Sequence, residues 1–262
     1  MKKLIAVLVL TWGVASAHAA LVEREVEYTD GETPMRGFLV YDDAMEGARP
    51  GVLVVHEWWG HNDYARRRAR MLAEAGYIAL AVDMYGEGKQ AAHPKDAGAF
   101  ASAVMQDLPV AGTRFRAARI FLEAQPETDA MRVAAIGYCF GGAVVLHMAR
   151  RGEDLKAVAS FHGSLKTEHP AMPGSVVARV LVYHGAADAM VTDEDVQAFK
   201  AEMDEAGASY LFTAYPGAPH SFTVAEADAK AKEFGIPVGY NADADKASWQ
   251  SLLDELKAVF AP

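Results

Sequence analysis

Cysteine occurs once in the 262 residues, at Cys139. A lone thiol excludes any internal disulfide, so packing alone must hold the fold. Basic residues are also scarce, 25 lysines and arginines against 35 acids, for a formal net charge of -10. An acidic surface of this kind argues against nucleic acid and anionic lipid as partners. Internal repeats, low-complexity linkers and a second compositional regime are missing, which leaves one α/β domain over residues 20–262, expected to be monomeric, as the economical reading.

What is present begins at the amino end. Lys2 and Lys3 precede the apolar run Leu4 to Leu10, and Ala17-His18-Ala19 closes the segment with a small-x-small pattern. Residues 1–19 therefore read as a secretory signal, too short in its apolar part for a membrane span. No cysteine stands directly after the apolar part, so no lipid attachment is expected. A secreted, periplasmic protein results, with a charge near -12 once the two lysines are removed. An unpaired thiol in an oxidising compartment calls for a reason, and catalysis is one.

Beyond Ala19 a β-rich opening (21–28 and 35–41) gives way to apolar runs of strand length alternating with helical patterns. Strands are expected over 51–55, 78–82, 133–136, 157–161, 180–183 and 210–215. Helices are expected over 63–75, 113–123, 143–150, 194–206 and from about 245 to 260. Such alternation predicts a mostly parallel, doubly wound sheet with helices on both faces and a site at the carboxyl ends of the strands. Residues 86–108 are the least regular stretch, a possible cap over that site.

Cys139 stands at one such strand end, in Gly137-Tyr138-Cys139-Phe140-Gly141-Gly142. This is the pattern of a nucleophile elbow carrying a thiol, with glycines where helix and strand pass too closely for a Cβ. Asp188 follows the apolar run 180–183, and His220 follows the run 210–215 after a Pro/Gly loop. Nucleophile, acid, histidine is the chain order of α/β-hydrolases. The loop after Val55 is expected to supply one oxyanion-hole amide, from Trp58, to pair with that of Phe140. Glu57 would then hang beside the sulfur, where a carboxylate restrains a thiolate instead of activating it. Trp58 and Trp59 either wall an apolar pocket or pack the loop. His162 is a second candidate for the site and His147 a structural residue. Arg66-Arg67-Arg68 reads as a solvated helix face. His56 and His61 are five apart with a glycine between, against the spacing of four that a zinc helix needs, so no metal is expected.

Taken together, His56-Glu57-Trp58-Trp59-Gly60, Asp83-Met84-Tyr85-Gly86, the segment 137–142 and Pro219-His220-Ser221-Phe222 resemble the dienelactone hydrolase family, cysteine hydrolases of the α/β-hydrolase fold. The resemblance implies Cys139 as nucleophile, His220 as base, Asp188 as orienting acid, and Glu57 as the group that holds the resting thiol. It also implies substrate contacts near Tyr85, Glu87 and Val224. Dienelactone-cleaving members carry arginines at the last two positions, so their mechanism transfers to this chain better than their substrate does. The expected activity is hydrolysis of a small, neutral carboxylic ester or lactone without a cofactor; a non-catalytic ligand-binding or redox-sensing protein is the alternative.

Overall fold

The computed structural model describes residues 21–261, and the segment read as a secretory signal lies outside them. Two long strands open the chain, β1 (Leu21–Thr29) and β2 (Pro34–Asp42), paired antiparallel. Then come β3 (Arg49–Val55), α1 (Asp63–Glu74), β4 (Ile78–Val82), α2 (Pro94–Gln106), α3 (Leu108–Glu123), β5 (Thr128–Tyr138) and α4 (Phe140–Arg150). The remainder is β6 (Ala157–Phe161), β7 (Arg179–Gly185), α5 (Asp193–Glu205), β8 (Tyr210–Tyr215), α6 (Ala227–Phe234) and α7 (Ala242–Val259). All eight strands join one sheet in the order β1-β2-β4-β3-β5-β6-β7-β8, parallel from β4 onward. This is the mostly parallel, doubly wound sheet that the alternating pattern predicts.

The apolar runs are continuous because both faces of the sheet are covered. Along β3, Val52 and Val54 point into one core with Leu72 of α1 and Leu252 and Leu256 of α7. Leu53 and Val55 point into the other, with Phe115 of α3, Val144 of α4 and Phe199 of α5. The crossovers leave every loop that follows a parallel strand on one edge of the sheet. Glu57, Cys139, Asp188 and His220 all lie on such loops, after β3, β5, β7 and β8.

Three expectations change. The irregular stretch 86–108 contains a full helix, α2, capped by His93 with Pro94 in its first turn. It was hard to see because only Ala97 and Val104 of its thirteen residues are buried, too few for a clear stripe. The next helix starts at Leu108 instead of Thr113, capped by the Asp107 carboxylate on the amide of Val110. Finally, Arg68 is not on a solvated face. Its guanidinium is buried between α1, α7 and the loop after His220, donating to the Thr223 carbonyl (2.8 Å), the Asp245 carboxylate (2.5 Å) and the Tyr64 hydroxyl (3.2 Å). Arg66 and Arg67 do reach solvent, pairing with Glu25 and Glu226.

Candidate active site

The turn between β5 and α4 is set by close backbone approach. A Cβ on Gly137 would overlap the carbonyl of Gly141, and one on Gly141 would overlap the carbonyl of Val55. No larger residue fits at either point. Cys139 itself takes φ +53°, a left-handed conformation that non-glycine residues rarely adopt, held by its amide bonding to the Phe161 carbonyl at 3.0 Å. Strain stored in this way lifts the thiol off the sheet edge, at the amino end of α4.

His220 meets the sulfur with Nε2 at 3.1 Å, and its Nδ1 meets Oδ2 of Asp188 at 2.8 Å. The second oxygen of Asp188 accepts from the amide of Met190 at 2.8 Å, so the carboxylate cannot rotate away from the ring. The His220 loop presses on the end of β7, where a Cβ on Gly185 would overlap the carbonyl of Ala218. Burial alone would lower the pKa of His220. The charge on Cys139, with the bonds to Asp188 and Cys139, more than reverses this and holds it well above the ordinary 6.5.

Glu57 is buried, and its Oε1 accepts from the hydroxyl of Ser221 at 3.0 Å. The sulfur's hydrogen-bond partner is His220, not Glu57, contrary to the expectation that this carboxylate holds the thiol. Ser221, in a left-handed conformation at φ +59°, donates its hydroxyl to one oxygen of the Glu57 carboxylate. Burial pushes the carboxyl of Glu57 up; His220, the Ser221 bond, Lys230 and Arg68 oppose the rise without cancelling it.

The loop carrying Trp58 is tied at several points. The imidazole of His56 donates from Nδ1 to the Glu57 carbonyl (2.6 Å) and accepts at Nε2 from the amide of Met84 (3.2 Å). Both ring nitrogens are therefore spent inside the protein, and burial lowers the pKa of His56 to about 4. The hydroxyl of Tyr85 donates to the Trp58 carbonyl at 3.0 Å. Among the described residues, the amides of Trp58 and Phe140 have no hydrogen-bond acceptor.

Cys139, His220, Trp58 and Phe140 open on a cavity of about 340 Å³, completed by Met105 of α2, Ala143 of α4, Lys166 and Met190. The other expected substrate contacts lie elsewhere. Trp59 is buried against Trp58 and Phe234 with the ammonium of Lys230 3.5 Å from its ring centre, so it packs the loop. Tyr85 sits beneath the loop against His56, Phe100 and Phe140. Glu87 stands on an exposed turn, drawn toward β2 by its amide bond to the Pro34 carbonyl (2.7 Å) and paired with Lys89 at 3.4 Å. Val224 is core, turned inward by its amide bond to the Ser221 carbonyl. His162 lies behind His220, ring centres 5.2 Å apart, bonded through Nε2 to Thr223 and outside the cavity wall.

Met105, Ala143, Lys166 and Met190 were absent from the sequence reading. Ala143 alone carried a sequence signature, four residues past Cys139 on the same helix face. Met105, with Ala101 and Ser102, comes from the stretch 86–108 read as a cap over the site, whereas Lys166 and Met190 reach the cavity from loops whose docking no local pattern announces.

A family model described as the dienelactone hydrolase family matches residues 35–260. A putative carboxymethylenebutenolidase of Salmonella typhimurium is 26% identical over 84% of this chain and 81% of its own length. An uncharacterized protein of Caenorhabditis elegans is 37% identical over 56% of this chain and 93% of its own. Among solved structures, a dienelactone hydrolase-like promiscuous phosphotriesterase from metagenomic libraries superposes with a TM-score of 0.87 at 38% identity, covering 92% of this chain and 100% of that one. With the family model spanning nearly every described residue and the elbow, acid and histidine at the matching strand ends, the chain belongs to the dienelactone hydrolase family of α/β-hydrolases.

Proposed function

We propose that this hydrolase cleaves a small, neutral carboxylic ester or lactone with Cys139 as nucleophile. The observation that carries the reading is the unbroken chain Asp188–His220–Cys139 at the mouth of the cavity, with contacts of 2.8 and 3.1 Å. The thiolate attacks the carbonyl carbon, and the oxygen that gains the charge is bound by the amides of Trp58 and Phe140. His220 passes its proton to the departing alkoxide, leaving an acyl-thioester. Water, deprotonated by His220, then attacks the thioester and the sulfur departs. Asp188 keeps Nδ1–H facing it and supports the imidazolium.

Neutral substrates are favoured because the cavity wall contains no arginine, and Lys166, its one lysine, is paired with Asp195 at 3.5 Å. A phosphotriester is also uncharged, so the activity named for the metagenomic relative belongs in the same substrate panel. The lysine-led apolar segment at residues 1–19 supports export to the periplasm, with the mature chain acting as a monomer. The decisive test compares aryl ester turnover, mass-spectrometric trapping of an acylated protein, and thermal unfolding in wild type and Cys139→Ala. Loss of turnover and of the acyl adduct with an unchanged Tm is expected. Full turnover in the alanine variant would end the assignment.

A further inference from the structure

The cavity at Cys139 does not end at the reacting carbonyl. Met105, Ala143 and Lys166 line it and also line a second, larger cavity of about 550 Å³, so the two share a threshold. One wall of the second cavity is the continuation of the elbow helix. Ala143, His147 and Arg150 fall four, eight and eleven residues beyond Cys139, one face of α4, and at 1.5 Å per residue His147 lies about 12 Å along the axis from the nucleophile. The opposite wall is the matching face of α5, with Ala198, Phe199 and Glu202.

The lining of this second chamber mixes hydrocarbon with charged groups, most of which are paired with each other. Leu108, Leu165 and Phe199 supply hydrocarbon. At its floor the guanidinium of Arg150 is engaged by both oxygens of Glu202, at 2.8 and 2.9 Å. At the threshold Lys166 faces Asp195. His147 is held neutral by burial, which lowers its pKa to about 4 with help from Arg150, Arg151 and His169. Glu168, an exposed acid on the rim, opposes an anionic occupant.

We infer that the groove between α4 and α5 is a subsite for a long, uncharged alkyl or aryl-alkyl arm of the ester, entered from the Cys139 cavity between Met105 and Ala143. The inference rests on the proposed ester hydrolysis and specifies its substrate: compact at the carbonyl, extended on one side. Chain length should therefore govern specificity, since each methylene withdrawn from water favours binding about fourfold.

The test uses two series of aryl or alkyl esters, one lengthened in the acyl part from acetyl through butanoyl to octanoyl, the other lengthened in the alcohol with acetyl kept constant. One series should climb in kcat/KM by about a hundredfold over its length, the shortfall from full burial reflecting the open side of the groove; whichever series climbs names the arm that occupies it. Ala198→Trp, on α5, and Leu108→Trp, at the start of α3, fill the chamber from different elements, and each should cut the long-to-short ratio at least tenfold. Ala198 is solvent-exposed on α5, so its replacement spares the core. Flat profiles in both series, or a climb that both tryptophan variants leave intact, would overturn the subsite. If acetyl esters are cleaved through Cys139 in that case, ester hydrolysis stands without it; if no ester is cleaved, the failure belongs to the proposed function.

Discussion

The protonation of His220 depends on two partners that act differently. Burial lowers the imidazole's affinity for a proton, while the sulfur's charge and the Asp188 carboxylate raise it, and the sum lies well above 6.5. Replacing Cys139 by serine keeps a polar atom but removes the charge. In Cys139→Ser the His220 ring, followed by NMR, should titrate at lower pH than in wild type. An unchanged titration would mean that Asp188 alone supports the imidazolium. Glu57 yields a second expectation. Its carboxyl is raised above the ordinary 4.5, so the folded chain keeps a proton that the unfolded chain releases. The stability this contributes is full below 4.5 and is lost as pH rises through the folded value. Glu57→Gln keeps an acceptor for Ser221 and removes the titration. Its Tm should therefore gain on wild type as pH is raised from acidic to neutral, and parallel Tm curves would show that Glu57 is ionised without cost.

At the scale of elements, the junction of β5, α4 and β3 is the least tolerant part of the fold. The Gly137 backbone touches α4 and the Gly141 backbone touches β3, with Gly142 against Ser160 Oγ on the far side, where a Cβ would come within 2.6 Å. None of these neighbours is a flexible side-chain end that could simply swing aside, apart from the Ser160 hydroxyl. Gly137→Ala should cost about 3 kcal/mol or more in denaturant unfolding, at the upper end of overpacking effects. A loss under about 1 kcal/mol would show that β5 and α4 can separate. The glycine spacing makes this junction legible in the chain, because its cause is local: a strand reversing into a helix within a few residues. The docking of α2 is the opposite case, since its contact with the cavity depends on where α3 and α4 already stand.

The whole molecule carries a net charge of -10, and at the cavity no arginine offsets it. A neutral ester should therefore be preferred over a matched ester bearing a free carboxylate. The preference should shrink as salt is added, because the Debye length is about 10 Å at 0.1 M and the repulsion comes from the surface as a whole. Glu87→Arg should leave the ratio of the two kcat/KM values nearly unchanged, since Glu87 sits on an exposed turn paired with Lys89. A strong swing toward the carboxylate in that variant would place the turn over the cavity after all.

By itself, the sequence determined the parallel sheet, the elbow at Cys139 and the positions of Asp188 and His220 on strand-end loops. Each of these follows from short-range demands: buried strands need continuous apolar runs, the elbow needs glycine, and residues that are to share one edge of the sheet must follow parallel strands. The tertiary structure alone decided that the Ser221 hydroxyl donates to Glu57, that Val224 and Trp59 pack inward while Glu87 points to solvent, and that Arg68 is a buried tie between α1, α7 and the histidine loop. Those outcomes join residues as far apart as 57 and 221 or 68 and 245. Such contacts are selected by the packing of whole elements, and no local pattern of residue types encodes them.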